Sequence, residues 1–189
     1  MLYTGKGDNG TTKTFEKTPT RISKASELPE CLGTLDELNA FLGFCKMRAK
    51  NSTDPSVTVG KKTYRTSEIL HDVQETLFIV QAEVAGAPKK VRKTKVTHVE
   101  TLVNTIETVI PPVVSFSIAG GTELSAMLDV ARTLSRRSER RLVGVHEAGL
   151  RKISDPSRAY ANRLSSLLFA LARLANASQG VAEQNPSYR

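Results

Sequence analysis

The chain has 189 residues, of which 39% are hydrophobic, 5% aromatic and none tryptophan; that length suits one domain able to bury its own core. No apolar run reaches the length a membrane-crossing helix needs, and the opening MLYTGKGDNG lacks the apolar core of a secretion signal. The formal net charge of +8 points to an anionic partner, whether nucleotide, nucleic acid or anionic membrane, without choosing among them.

Residues 1–25 show no helical period. Gly5, Gly7 and Gly10 spell GxGxxG, but no strand precedes them and no helix clearly follows, so the dinucleotide fingerprint fails on context. Thr11 rather than Lys follows Gly10, which excludes a Walker A loop. What remains is a Gly-rich loop with Lys6, Asp8, Thr11, Thr12 and Lys13. Two readings stay open: a phosphate cradle of backbone N–H groups, hydroxyls and lysines, or a disordered or hairpin-like terminus.

Apolar spacing then predicts five helices. The first covers about 30–48 on Leu32, Leu35, Leu38, Phe41, Leu42 and Cys45. Asp36 and Glu37 sit among these apolar positions, either solvated or, for Asp36, available to an arginine across an interface. Cys31 and Cys45 are fourteen positions apart on this helix, about 21 Å along its axis, too far for a disulfide; reduced thiols are expected. Residues 51–62 read as a polar loop. The second helix covers about 67–85 and stops at Gly86-Ala87-Pro88. Lys89 to Lys95, KKVRKTK, reads as a solvated basic linker, with a localisation signal or nucleic-acid patch as alternatives. The third helix covers about 98–110, entered through a Thr97/Glu100 capping box and ended by Pro111-Pro112. Residues 113–118 form a short extended link, in which Phe116 by default is core. The fourth helix is capped by Thr122 and ends near Gly149. The fifth covers about 157–177, entered through Asp155 as N-cap and Pro156 in the first turn. The tail over 178–189 reads as frayed. His71, His98 and His146 have no evident partners. Five helices without a sustained strand period make an all-α bundle and a single domain over 1–189.

The fourth helix carries five arginines between Leu128 and Leu142. Arg132, Arg136 and Arg140 recur every four residues and form one stripe, with Arg137 and Arg141 beside it. Leu124, Leu128, Ala131, Ser135, Ser138, Leu142 and Val145 alternate at four and three residues, the spacing of a packing seam. A cationic edge beside a packed seam is either a solvated face or a polyphosphate grip.

Three separated segments resolve that choice through a resemblance. Tyr3 to Thr12, YTGKGDNGTT, resembles a YTKTGDxGTT signature; Gly33 to Asn39, GTLDELN, resembles GTxDELN. The stretch from Gly120 to Arg141, then Ala161 to Ser165 and Leu168 to Arg173, resembles ARTxxRRAERR and LNRLSDxLFxLAR. Together, in order and over nearly the whole chain, they resemble the PduO-type ATP:cob(I)alamin adenosyltransferases. The resemblance implies a five-helix bundle with a four-helix core. It also implies a homotrimer with ATP sites between subunits, cobalamin and ATP as substrates, and magnesium arriving with ATP rather than on a protein side-chain cluster.

By the same resemblance, ATP is bound by Thr4, Gly5, Lys6, Gly7, Thr12, Lys13 and Lys24 in the N-terminal segment and by Arg136, Arg137, Glu139 and Arg140 on the fourth helix, with Asn162 on the fifth. Arg132 pairs with Asp36 across the subunit interface. Phe116 covers the lower face of the corrin, and Arg136, Phe116 and Asn162 carry the reaction. An external reductase supplies the electron, and an adenosylcobalamin-dependent enzyme is a possible recipient of the product. Nucleic acid and membrane are not expected partners. The expected location is the cytoplasm, or the mitochondrial matrix for a mature organellar chain.

The chemistry accounts for these residue types. Co(I) is a strong nucleophile with no proton to lose, so no general base is required. The leaving triphosphate is highly charged, so arginine, lysine, magnesium and loop N–H groups are what it needs. The chain also departs from the family pattern. Gly5 stands where the family has Lys, Asp129 where it has His, Ser138 where it has Ala, Ala161 where it has Leu, and Ser166 where it has Asp. Ser138 and Ala161 read as packing variation, whereas Gly5, Asp129 and Ser166 read as nearer the chemistry. A noncatalytic carrier of corrinoid or ATP on the same fold is one alternative function. A basic helical nucleic-acid-binding protein is another, disfavoured by the scarcity of aromatics for base stacking.

Overall fold

The apolar periods of the chain close into five helices in a computed structural model that describes residues 2–15 and 18–188. Met1, Glu16, Lys17 and Arg189 lie outside the described residues, so the N-terminal segment over 1–25 and the tail over 178–189 are described without them. In chain order the elements are β1 (Thr11–Lys13), β2 (Arg21–Ser23), α1 (Glu27–Lys50), β3 (Ser56–Val59), β4 (Lys62–Arg65), α2 (Thr66–Ala85), α3 (Lys93–Glu107), α4 (Glu123–Glu147) and α5 (Asp155–Ala177). The helices pack in the order α2, α1, α4, α5, α3. No helix among the described residues is long and apolar enough to cross a membrane.

The α4 seam is built as its spacing predicts. Leu124, Leu128, Ala131, Ser135, Ser138, Leu142 and Val145 are all buried. Serines at the middle of the seam satisfy their hydroxyls at the backbone: Ser135 Oγ donates to the Arg132 carbonyl at 2.8 Å, and Ser138 Oγ donates to the Thr34 carbonyl of α1 at 2.9 Å. A buried hydroxyl left unbonded would cost about 1–3 kcal/mol, so Ser138 contributes an inter-helix tie as well as a small volume. Cys31 and Cys45 are free and buried on α1.

Several boundaries differ from the sequence expectation, each for a local reason. α3 begins at Lys93, not at residue 98. Buried Val91 and Val96 bring the basic stretch against the core, and Lys95 forms an ion pair with Asp72 of α2. Residues 93–95 are thus the first turn of a helix rather than linker. Thr97 is no cap, and Glu100 instead pairs with Arg163 of α5 at 2.9 Å. The polar stretch over 51–62 instead supplies the first strand and turn of a hairpin, β3–β4, in which Val57 faces Tyr64 and Val57 is buried. At the start of α5 the N-cap is Ser154, one residue earlier than expected. Buried Glu83 from the end of α2 accepts from Ser154 N at 2.8 Å and also from Ser157 Oγ, placing negative charge at a helix N-terminus where the dipole favours it. His146 has a partner after all, its Nδ1 accepting from Ile153 N at 3.1 Å, and the His98 ring lies 5.1 Å from that of Tyr64.

The tail is not frayed over its described residues. Ile118 N donates to the Gln184 carbonyl at 2.7 Å and Val181 N to the Asn176 carbonyl at 3.0 Å. Glu183 lies 2.8 Å from Arg173 Nε.

Candidate functional site

The glycine-rich segment folds as a hairpin-like loop. β1 and β2 pair antiparallel, Thr11 with Ser23, Thr12 with Ile22 and Lys13 with Arg21. Gly5 at φ +65° and Gly10 at φ +75° occupy the left-handed region that other residues enter only at a cost. Gly5 therefore suits its turn better than the lysine of the family pattern. Gly7 serves by its missing side chain, since a Cβ there would lie 2.9 Å from Lys24 Nζ and 3.2 Å from the Thr11 carbonyl. Arg21 ties the loop together: its Nε donates to Thr11 Oγ1 at 2.7 Å and its Nη2 to the Thr11 carbonyl at 3.1 Å and to the Lys6 carbonyl. The sequence reading passed over Arg21, although it lies in the same Arg21-Ile22-Ser23-Lys24 run as Lys24; only the pairing of β1 with β2 shows its use.

Thr12, Lys13 and Lys24 line one cavity of about 260 Å³ with Phe15, Leu28 and Arg151 among its other walls. None of the α4 arginines lines it. Thr4, Gly5 and Lys6 are exposed on the same loop and do not line it.

On α4 the five arginines separate into two kinds. Arg137 pairs with Glu37 of α1, Arg141 lies 3.4 Å from Glu30, and Arg132 Nε lies 3.7 Å from Asp129 Oδ1. Arg136 and Arg140 are exposed and neither bonds another described residue. Arg132 and Arg136 share a second cavity, of about 480 Å³, with Ser166, Phe169 and Val113. Glu139 and Asn162 meet between α4 and α5, the Asn162 amide donating to Glu139 Oε1 at 2.7 Å. Asn162 Oδ1 accepts from Arg163 at 2.6 Å.

Asp36 is exposed, makes no ion pair among the described residues, and borders an open cleft with Phe15, Gly33 and Phe78. Arg132 and Asp36 are thus not partners within one chain. Phe116 is 80% exposed in the link between α3 and α4, contrary to the default of a core residue. Of the departures, Ser166 does face the arginines, whereas Asp129 is buried and paired with Arg173 at 2.9 Å, with Arg132 farther off at 3.7 Å. Among the described residues no group of three His, Cys, Asp or Glu side chains is placed to hold a metal ion.

Comparison with known proteins bears on the family and the fold. The family described as Cobalamin adenosyltransferase matches residues 2–175. A corrinoid adenosyltransferase PduO of Citrobacter freundii is 37% identical over 180 residues, covering 91% of this chain but 49% of that protein; the chain spans about half the length of the PduO relatives it matches. A second corrinoid adenosyltransferase of Citrobacter freundii is 34% identical, covering 92% of this chain and 93% of its own. Among solved structures, a variant PduO-type ATP:corrinoid adenosyltransferase from Lactobacillus reuteri, complexed with cobalamin and ATP, superposes with a TM-score of 0.84 at 27% identity, covering 99% of both chains. A profile match over most of the chain, relatives above 30% identity and a shared fold over its full length lead to one statement: the chain belongs to the cobalamin adenosyltransferase family.

Proposed function

We propose that the protein transfers the 5′-deoxyadenosyl group of ATP to cob(I)alamin, forming adenosylcobalamin and releasing triphosphate. The observation that carries the reading is the division of the α4 stripe: three arginines lie against carboxylates of their own chain, and Arg136 and Arg140 present guanidinium groups with no partner among the described residues, beside the Glu139–Asn162 pair. Unpaired guanidinium groups on a rigid helix are suited to a polyphosphate, which they bind through charge-assisted, often bidentate hydrogen bonds.

In this reading the cob(I)alamin electron pair forms a Co–C bond to C5′ of ATP while the C5′–O bond breaks, its electrons leaving with triphosphate. No proton moves. The chain's task is to fix the nucleotide and stabilise the departing charge. Arg136 and Arg140 grip the triphosphate; Arg137, already on Glu37, adds field and a rigid edge. Glu139 and Arg163 hold the two ends of the Asn162 side chain, leaving its second amide N–H to donate to the nucleotide. Thr4, Gly5, Lys6, Gly7, Thr12, Lys13 and Lys24 supply the second half of the grip from the N-terminal loop. Magnesium on the triphosphate screens its charge when bound.

The loop and the α4 stripe line separate cavities in one chain, and Asp36 and Arg132 have complementary charges but no contact within it. Both facts support a homotrimer in which each ATP lies between the loop of one copy and the arginine helix of the next, with Asp36 and Arg132 joining copies. In this reading Phe116 covers the lower face of the corrin and keeps an axial ligand away, which eases reduction of Co(II) by an external reductase; its exposure, 80%, supports that role. The expected setting is the cytoplasm.

The test is Arg136→Ala. Turnover from ATP and chemically reduced cobalamin should fall by about a hundred-fold or more, the scale of losing one preorganised charge-stabilising group, with the helical fold unchanged. Full turnover in the variant would remove Arg136 from the site. Tight cobalamin binding without any turnover by the wild-type chain would select the noncatalytic carrier instead.

A further inference from the structure

A series of alternating charges runs from the C-terminal tail into the arginine helix. Glu183 Oε1 lies 2.8 Å from Arg173 Nε. Arg173 Nη2 donates to Asp129 Oδ2 at 2.9 Å, and Asp129 Oδ1 lies 3.7 Å from Arg132 Nε. The side chains of Arg173 and Asp129 are only 3% and 6% exposed, and that of Glu183 is 25% exposed. The Phe169 ring lies under the Arg173 guanidinium, 4.8 Å from its Cζ. Charges this far from water cost several kcal/mol each unless partners satisfy them, so removing one partner of such a pair leaves the other uncompensated.

The remaining bonds of the network hold one turn. Gly120 N donates to Asp129 Oδ2 at 3.4 Å. Asn176 Nδ2 donates to the Gly120 carbonyl at 3.0 Å and to Glu183 Oε1 at 2.8 Å. Asn176 Oδ1 accepts from Thr122 N at 2.8 Å. Two residues after Phe116, Ile118 N donates to the carbonyl of Gln184 in the tail. A cavity of about 260 Å³ separates the link from the tail along Val113, Val114 and Ser115 on one side and Val181, Ala182 and Glu183 on the other. The segment carrying Phe116 is therefore spanned between α3 and a turn clamped from below by α4, α5 and the tail.

We infer that Arg173 and Glu183 are positioning residues: with Asp129 they fix the tail and the Gly120 turn, and so set where the Phe116 segment stands over the corrin-binding face. The inference rests on the adenosyltransferase reading. It also assigns a use to Asp129, the residue standing where the family pattern has histidine. Asp129 is the buried anion that Arg173 requires, and it meets the turn through Gly120 rather than meeting nucleotide. Neither Arg173 nor Glu183 touches a substrate in this arrangement; they act through Phe116.

The experiment uses the full chain with Glu183→Gln, which keeps an acceptor for Asn176 but removes the charge facing Arg173, and Phe116→Ala as the reference for a lost wedge. A chain ending at Gly180 removes the tail outright and serves if the point variant is too mild. Each is read by the anaerobic spectrum of Co(II)alamin with saturating ATP, by ATP affinity without cobalamin, and by amide exchange at Ile118. The expected result is a four-coordinate Co(II) fraction lowered by about two-fold or more, toward that of Phe116→Ala, with ATP affinity changed by less than about two-fold and faster exchange at Ile118. A wild-type chain that forms four-coordinate Co(II), with both tail variants matching it, overturns the positioning role and leaves the adenosyltransferase reading intact. A wild-type chain that forms none overturns that reading, and the inference falls with it.

Discussion

Glu139 on α4 accepts a 2.7 Å hydrogen bond from the Asn162 amide on α5, and Arg163 occupies the Asn162 carbonyl oxygen at 2.6 Å. Both ends of the Asn162 side chain are therefore fixed before any ligand arrives. A carboxylate among cations would weaken a polyphosphate site unless it served to orient a neighbour, and Glu139 has that use. Glu139→Ala should lower kcat/KM for ATP by about ten-fold or more, the cost of losing preorganisation at one donor, while thermal unfolding shifts little. Unchanged kcat/KM would mean that the pair is only a helix–helix contact.

Gly7 is the position where a single methyl group tests the loop. A Cβ would lie 2.9 Å from Lys24 Nζ, the movable end of a flexible side chain, so Gly7→Ala displaces the ammonium and presses on the Thr11 carbonyl, 3.2 Å away, by a few tenths of an ångström. ATP affinity measured by calorimetry should weaken by about three- to ten-fold, roughly the worth of one charge-assisted contact. Equal affinity in the two proteins would exclude Lys24 from the phosphate site.

Gly121 tests the turn instead. Its φ is +99°, and a Cβ would meet Asn176 Oδ1 at 2.5 Å, inside a bonded amide rather than beside a flexible end. Gly121→Ala should destabilise the fold by about 2 kcal/mol or more, combining backbone strain with overpacking. Denaturant unfolding reads this directly, and a loss under about 0.5 kcal/mol, the range of an ordinary surface change, would contradict the packing described for the turn.

The two thiols predict a pH dependence. Burial pushes both Cys31 and Cys45 from an ordinary value of 9.0 up to about 12. The unfolded chain loses these protons first, so as pH rises the folded state holds more of them. Their stabilising contribution is complete below pH 9 and is lost as pH rises toward 12, with a limit of about 1.4 kcal/mol per pH unit for each thiol. A Cys31→Ala, Cys45→Ala double variant should lose less stability than the wild-type chain between pH 8.5 and 11. Parallel curves would show that the thiols are not shielded as described. Native thiols should also react slowly with a thiol reagent at pH 8.

The helices were legible because long apolar periods leave few alternatives, and the α4 seam was read residue for residue. Its arginines were legible as a stripe with Arg132 set apart for an interface, but the intrachain pairing of Arg137 and Arg141 was not. That required Glu37 and Glu30, which α1 brings alongside α4 from a hundred residues away. The start of α3 was missed because Lys93, Thr94 and Lys95 carry no apolar signal; the burial of Val91 and the Asp72 partner for Lys95 are tertiary facts. The two hairpins have strands of three or four residues, too short to show an alternating period. The clamp on the Gly120 turn was invisible for a related reason. Arg173 and Asn176 read as ordinary positions of α5, and Glu183 as one charge in a polar tail, until the bundle placed all three against Asp129.

The central claim is tested most directly by the product. Wild-type protein incubated anaerobically with ATP and chemically reduced cobalamin should form adenosylcobalamin, identified by its Co–C bond, together with one triphosphate per adenosyl group transferred. Absence of any Co–C product under strict anaerobic reduction, with ATP and cobalamin both bound, would contradict it.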